Sequence, residues 1–500
     1  MAGCSCNDFN RAQLLRRGLA AAGNRVAAPG TVAGGGIGVA GRGIGSPGGG
    51  IGSPGDGVAG PGRGLPAIEP GMPLPAGTGM DRRSFLLRTA GAVVSVYGAS
   101  MRGARHFEEG IAQAAAASPN QPVLVSIFME GGWDALSVLA PVKEARYREL
   151  RPALALAEGS GVPFGEDPTL MWHPQAQGLA TLHGEGKVTV FPAVGYDPPD
   201  ESHFTSRHYW EVGQLDANAR SGWIGRFLDA TGEPENPLQG LSLDYSLAPA
   251  LATEKMPVAA VSSPTDYNMW AYGFDEPIAG PAMETFGRLG ALGAPSPAFA
   301  QARGAAWDTS IVLNEMAPFV GPEGKPTYTA PVAYPKDGGE FAGRLAALAA
   351  MLAAGLPIKC ASLTGIGTYD THSDEPTTLS TNLGQTVESV VAFQRDLEAR
   401  KLDDRVIVQL WSEFGRHPRE NGSGTDHGAA GVAFLIGTRV AGTMIGEFPG
   451  LTKLDENENL VNTSDFRAMY CALLEQWFQT EAGLVIPEAA AFERPVLLKA

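Results

Sequence analysis

Short apolar runs along this chain alternate with longer segments in which apolar residues recur at helical spacing. The runs are aliphatic or β-branched and stop at polar residues, which is typical of strands buried on both faces. They cover residues 122–129, 187–194, 257–261, 359–363, 405–411 and 431–436. The segments with helical spacing cover residues 175–183, 340–354, 382–400 and 466–477, with Ser464 as the expected cap of the last. This alternation predicts an α/β fold, with a mainly parallel sheet and helices on both faces.

Two of the predicted strands run directly into side chains that bind metals. One leads to Glu413 and, after a glycine-rich loop, to Asp426 and His427; another leads to Asp370 and His372. Ligands of parallel sheets bind beyond the carboxyl ends of the strands, and carboxylates with imidazoles suit a divalent ion such as Zn, Ca, Mg or Mn. The pattern therefore predicts a metal site. The alternative is a set of hydrogen-bonded loops in which the carboxylates cap turns.

Two further positions belong to the same edge of the predicted sheet. The turn Gly131-Gly132 follows the first strand and places Asp134 just beyond it. Asp134 is predicted to be either a further metal ligand or the N-cap of the helix that follows. Arg416 comes shortly after another strand and is a possible clamp for a bound anion.

A dense polar segment, residues 201–210, opens a further predicted helix. A helix N-terminus favours a phosphate or sulfate and a hydroxyl nucleophile beside it, so Ser202, and after it Thr205, are candidate nucleophiles. His203 could activate the hydroxyl or bind the metal, and Arg207 could hold the anion. The alternative is an ordinary capping segment.

The first part of the chain has a different character. The first eighty residues hold 23 of the 66 glycines, and such a composition buries too little apolar surface to fold. Residues 1–79 are therefore predicted to be a disordered extension, or to reflect a start codon assigned too far upstream. Residues 80–118 contain Arg82 and Arg83 before a short apolar stretch, which resembles a signal for the twin-arginine (Tat) export machinery. We expect a periplasmic or extracellular protein without a transmembrane anchor, since the stretch is too short to span a bilayer.

Charge limits the possible partners. Residues 119–500, the predicted globular domain, carry 26 basic and 47 acidic side chains, a net charge of −21. A body this acidic argues against nucleic acid and anionic membranes as partners. An anionic substrate would need a bound cation or a local arginine to attract it.

The combined motifs resemble the bacterial domain-of-unknown-function 1501 family, which is placed in the alkaline phosphatase/sulfatase superfamily. The motifs are the twin-arginine leader, Gly131-Gly132-x-Asp134, Ser202-His203-Phe204, Asp370-Thr371-His372-Ser373, Ser412-Glu413-Phe414-Gly415-Arg416 and Gly424-Thr425-Asp426-His427-Gly428. The resemblance implies a three-layer α/β/α sandwich of the alkaline phosphatase-like type. It also implies one or two divalent metals for hydrolysing phosphate or sulfate esters of a small molecule or polymer.

The chain departs from the superfamily at two places. Superfamily members usually end the first strand with an aspartate ligand and a Ser or Thr nucleophile, where this chain has Met129-Glu130. Their late Asp-His pair is replaced by Ser412-Glu413. Two functions therefore remain: an exported metal-dependent ester hydrolase, and a catalytically silent periplasmic protein that uses the fold as a binding scaffold. If the candidate ligands converge on one point in the structure, the hydrolase is favoured; if they do not, the scaffold is favoured.

Overall fold

The computed structural model describes residues 96–97, 121–267, 279–292 and 297–499, all within one compact unit that spans residues 73–500. The strands are β1 Val96–Tyr97, β2 Val123–Phe128, β3 Leu139–Ala140, β4 Val162–Pro163, β5 Met171–Trp172, β6 Val188–Gly195, β7 Gly240–Ser242, β8 Val258–Ala260, β9 Cys360–Thr364, β10 Val406–Trp411, β11 Arg416–Glu420, β12 Thr425–His427, β13 Gly431–Ile436 and β14 Ser464–Asp465. The helices are α1 Ala135–Val138, α2 Ala145–Leu150, α3 Gln177–Gly184, α4 His203–Val212, α5 Trp223–Thr231, α6 Ala279–Gly290, α7 Pro297–Met316, α8 Gly339–Ala353, α9 Glu375–Arg400 and α10 Phe466–Ala472.

Nine of the described strands form one sheet, in the order β1-β8-β7-β9-β2-β10-β13-β6-β14. The neighbours from β8 through β10 pair in parallel, and β14 pairs in parallel with β6. Only β1 and β13 pair antiparallel with their neighbours among these strands. The mainly parallel α/β sheet predicted from the sequence is therefore confirmed.

Alternating side chains of each central strand pack into two separate cores, one on each face of the sheet. In β2, Val125 and Ile127 join a core that includes residues of α8 and α9, while Leu124 and Phe128 join a core that includes residues of α5 and α10. Since successive side chains of a strand point to opposite faces, helices cover both faces. This is the three-layer arrangement that was expected.

Two helix boundaries differ from the prediction. The helix predicted at residues 382–400 begins earlier, at Glu375, because Pro376 is tolerated in a first helical turn. The cap of α10 is Asp465 rather than Ser464: its side chain accepts a hydrogen bond from the Arg467 amide.

The predictions for residues 1–79 and 80–118 lie outside the described residues, apart from β1. Among the described helices, none combines the length and apolar character needed to cross a membrane.

Candidate metal centre

The candidate centre lies at one edge of the sheet, where three adjacent parallel strands end together. Phe128 of β2 is in register with Thr364 of β9 and Trp411 of β10. The loop after β9 carries Asp370 and His372. The structure thus brings the two strand-end motifs of the sequence to the same place.

Two imidazoles from other elements join them. His203 is the first residue of α4, and His427 is the last residue of β12 in the β11–β12 hairpin. The Nε2 atoms of His203, His372 and His427 lie 3.5, 3.0 and 3.2 Å from Oδ1 of Asp370. The Nε2 atoms of His372 and His427 are 3.1 Å apart. Ligand atoms of His203, Asp370 and His427 all lie within 4.8 Å of one another.

The backbone fixes the orientation of one of these rings. Nδ1 of His427 lies 2.8 Å from the Glu201 carbonyl oxygen. A carbonyl oxygen only accepts hydrogen bonds, so Nδ1 of His427 must carry the hydrogen. Burial lowers the pKa of His427, which favours the neutral ring. Its Nε2 atom then offers a lone pair to the centre.

The other two rings face carboxylates in the same way. Nδ1 of His203 lies 2.8 Å from Glu413, and Nδ1 of His372 lies 3.1 Å from Asp426. Burial would raise the pKa of Glu413, but its hydrogen bond with His203 outweighs this, so the net pKa is lowered. Ionised carboxylates accept hydrogen bonds, so both rings donate through Nδ1. All three Nε2 atoms therefore turn towards Asp370.

Asp370 is a buried carboxylate whose Oδ1 atom faces the three Nε2 atoms. Nitrogen lone pairs cannot donate hydrogen bonds to that oxygen, so in these tautomers the imidazoles would stabilise its charge only through a shared cation. Arg416 adds an ion pair at 3.2 Å. The remaining donors of Arg416 bind the Gly131 carbonyl oxygen and Thr425. Arg416, predicted as an anion clamp, is thus fully buried and its donors are engaged within the protein.

The donor set fits a divalent cation. Three imidazole nitrogens, from His203, His372 and His427, lie within 3.5 Å of one carboxylate oxygen. His203 and His427, together with Asp370, form the group whose ligand atoms are all within 4.8 Å of one another. The second oxygen of Asp370, Oδ2, is buried and has no hydrogen-bond partner in the described part of the chain. Nitrogen and carboxylate ligands in such a group are typical of zinc sites. These residues could therefore hold a metal ion.

Glu413 lies behind His203 rather than among the converging atoms. One of its oxygens accepts the Gly131 amide at 2.9 Å, and the other accepts the Gly132 amide at 3.1 Å. The single hydrogen of the Ser412 hydroxyl has two acceptors in reach, this second oxygen at 2.8 Å and the Met129 carbonyl at 2.6 Å. The carboxylate is therefore engaged by donors other than a metal. Asp426 also lies behind a ring, that of His372, but its side chain is 65% exposed.

Asp134 is the N-cap of α1, which was the predicted alternative to a role as metal ligand. Its side chain caps α1 by accepting from the Leu136 amide, and it forms a fully buried ion pair with Arg151. Burial would raise the pKa of Asp134, but Arg151 lowers it to about 2. Both oxygens bind Arg151, so the structure does not bring this predicted ligand into the converging group.

The start of α4 lies beside the centre. Ser202 is the N-cap, and its hydroxyl accepts from the Thr205 amide at 3.4 Å. It stands between Glu201, whose carbonyl binds His427, and His203. Both candidate nucleophiles are half-buried. Ser202 therefore both caps the helix and lies close to the centre.

Arg207, the other predicted anion clamp, is drawn towards acidic side chains. Its guanidinium binds Glu211 at 2.8 Å, lies 3.5 Å from Glu130, and stacks 4.4 Å from the centre of the Phe128 ring. Its charge is therefore largely compensated in place.

Two residues that support the site, Arg151 and Glu375, were not predicted from the sequence. Arg151 pairs with Asp134 across 17 positions, and nothing in its local pattern indicates this. Glu375 is fully buried at the start of α9, where it accepts from the Thr425 hydroxyl at 2.7 Å. Such contacts depend on tertiary packing. Glu375 stands directly before Pro376, which is a local signal of a helix start. That signal predicts its position on the helix but not its partners.

Fold and site together define an α/β protein with a candidate metal centre at the carboxyl edge of its sheet. Residues 326–480 match the model of a family described as "Protein of unknown function (DUF1501)". This match confirms the family resemblance over that part of the chain. A comparison with curated proteins found no match.

Solved structures give distant similarities. PsFucS1 sulfatase from Pseudoalteromonas sp. is 10% identical with a TM-score of 0.32, covering 81% of both chains. The lipoteichoic acid synthase LtaP from Listeria monocytogenes is 9% identical with a TM-score of 0.29, covering 74% of this chain and 75% of that one. The zinc complex of the C-terminal periplasmic domain of EcEptC from Escherichia coli is 9% identical with a TM-score of 0.30, covering 74% and 87%. At these scores the likeness carries no argument about activity.

The buried pair predicts a structural effect of Asp134→Asn. Because Arg151 would stay buried without its counter-charge, the free energy of unfolding should fall by about 3–5 kcal/mol. Glu149→Gln is the matched control, since it breaks the exposed ion pair with Arg146 and should cost at most about 1 kcal/mol. Chemical denaturation followed by circular dichroism measures both. Equal losses in the two variants would show that the buried pair is not structural.

Proposed function

We propose that this chain is an exported, metal-dependent hydrolase of phosphate or sulfate esters. One observation carries the proposal: three imidazole Nε2 atoms, each on a ring oriented through Nδ1, lie 3.0–3.5 Å from one buried carboxylate oxygen. A structural role alone does not require three lone pairs to point at an anion.

The residues that would hold the ion are His203, Asp370, His372 and His427. Imidazole-rich sites suit zinc and other transition metals better than calcium or magnesium, which prefer oxygen ligands. We therefore favour zinc over the oxygen-preferring ions calcium, magnesium and manganese. A bound divalent ion would polarise the ester and lower the pKa of an attacking hydroxyl or water.

The chain's own groups supply the remaining parts of the reaction. The N-terminus of α4 has a positive dipole end and would orient the non-bridging oxygens of the ester. Ser202, at that terminus, is the proposed nucleophile, with Thr205 as the second choice and water as the alternative. Asp370 would hold the ion together with the three rings, and Arg416 balances part of its charge.

Loss of one converging ring should remove metal and activity together. In His427→Ala we expect metal affinity to fall by more than about 100-fold, the upper end for residues that only orient a ligand. His417→Ala is the matched control, because its half-buried ring lies on the same hairpin and accepts from the Arg419 amide. Elemental analysis and zinc titration measure the metal, and an ester panel measures activity. Retained metal and activity in His427→Ala would refute the proposed centre.

The nucleophile is tested by a pair of hydroxyl deletions. Ser202→Ala should lose ester hydrolysis by orders of magnitude while the fold and bound metal remain, because the attacking oxygen is removed. Thr205→Ala, in the same helical turn, should keep most of the activity. Steady-state kinetics with aryl phosphates and aryl sulfates distinguish the two. Full activity in both variants would point to water as the nucleophile.

Export through the Tat machinery remains part of the proposal. Its support is the sequence motif, since Arg82 and Arg83 lie outside the described residues. Replacing both arginines by lysine should leave unprocessed protein in the cytoplasm, because the resembled signal requires the pair. Cell fractionation with immunoblotting measures this against the single Arg88→Lys control. Mature periplasmic protein from the double variant would contradict the assignment.

One observation favours the second candidate, a silent binding scaffold. Both predicted anion clamps are engaged, Arg207 with Glu211 and Arg416 with Asp370. A metal-loaded protein that turns over no phosphate or sulfate ester in the panel would support the scaffold instead of the hydrolase.

A further inference from the structure

Glu413 occupies a strand-end position from which it could reach a metal, yet its contacts direct it elsewhere. Its side chain is fully buried. One oxygen lies 2.8 Å from Nδ1 of His203 and 2.9 Å from the Gly131 amide. The other accepts the Gly132 amide and lies 2.8 Å from the Ser412 hydroxyl, whose single hydrogen can also go to the Met129 carbonyl. The carboxylate thus already accepts at least three donors, most of the complement that its two oxygens can take.

The glycine turn makes this carboxylate site possible. Gly131 and Gly132 have φ values of +112° and +74°, which turn two successive amides towards one anion. A Cβ atom on Gly131 would lie 2.3 Å from the Asp370 amide nitrogen, and one on Gly132 would lie 2.4 Å from the Phe414 ring. A side chain at Gly131 would therefore displace the Asp370 backbone, and one at Gly132 would displace the Phe414 ring.

We infer that Glu413 is a positioning residue: held by the Gly131 and Gly132 amides, it fixes His203 as the Nδ1–H tautomer, so that Nε2 faces Asp370. A neutral imidazole carries one ring hydrogen, and the carboxylate can only accept it. The effect of this tautomer on metal affinity rests on the proposed function. The tautomer itself is inferred from the contacts of Glu413 alone.

The three rings differ in what orients them, and this makes the inference specific. His427 is oriented by a backbone carbonyl, and His372 by the exposed Asp426. Only His203, among the three, depends on a buried carboxylate. A change at Glu413 should therefore alter the tautomer of His203 and leave His427 as it is.

The first measurement is made on the wild-type protein, and a variant serves only to assign the signals. Long-range ¹H–¹⁵N correlation spectra of the full chain, labelled at histidine and freed of metal, report the tautomer of each ring. His203→Gln assigns the His203 signals by their loss. We expect the Nδ1–H form for His203. An Nε2–H form, or a ring protonated on both nitrogens, in the wild-type protein would overturn the inference, whatever happens to metal binding.

The second measurement compares Glu413→Gln with Asp426→Asn, which makes the same carboxylate-to-amide change behind His372. The NH₂ group that Glu413→Gln introduces cannot accept from the Gly132 amide, so the side chain should rotate and His203 should populate both tautomers. Zinc affinity by calorimetry should fall about 10–100-fold, and less in Asp426→Asn. Glu413→Asp, which keeps the charge, should recover part of the affinity.

The outcomes separate this inference from the proposed function. Wild-type tautomer and zinc affinity in Glu413→Gln would overturn the positioning role. If the wild-type protein binds no zinc, manganese or other divalent ion, the proposed function fails. The tautomer of His203 and its change in Glu413→Gln would still decide the role of Glu413. A loss of affinity with an unchanged tautomer would indicate a merely structural residue and also refute the inference.

Discussion

Burial of the Asp370 carboxylate constrains the whole edge of the sheet around it. A buried anion is costly unless it is compensated, and the groups that meet at this carboxylate come from distant parts of the chain. α4 contributes His203, the loop after β9 contributes His372, and β11–β12 contribute Arg416 and His427. Each partner must reach the same oxygen. The positions of a helix start, a loop and a hairpin are therefore coupled through one side chain.

Behind this group, a second layer of polar contacts holds the elements in place. Arg416 binds Thr425, whose hydroxyl donates to the buried Glu375 at the start of α9. Glu375 also accepts from Ser137, next to the Asp134–Arg151 pair. Burial, followed by the nearby charge of Asp134, raises the pKa of Glu375 to about 8, which reduces the negative charge in this layer near neutral pH. The hairpin that carries His427 is thus tied to both α1 and α9.

The sequence was sufficient to predict the main strands and the edge of the sheet where the site lies, because both follow from local patterns. Apolar runs located β2, β10 and β13, and polar residues directly after strands indicated where Asp370, His372 and His427 would meet. Roles within the site depend on geometry that no local pattern contains. Asp134 and Glu413 both follow strands and both carry carboxylates, yet one binds Arg151 and the other binds amides and His203. Whether such a carboxylate binds a metal or supports the site through hydrogen bonds depends on where its distant partners lie.

Charge compensation links this geometry to the proposed substrate class. Asp370 is balanced by Arg416, and Glu413 by amide, hydroxyl and imidazole donors. The four residues proposed to hold the ion therefore bring little uncompensated negative charge, and a divalent cation there would keep much of its positive potential. The chain beyond residue 118 has a net charge of −21, and its two nearby arginines are already paired. Attraction of an anionic ester would thus have to come from the metal and the α4 terminus, since the protein surface as a whole repels it.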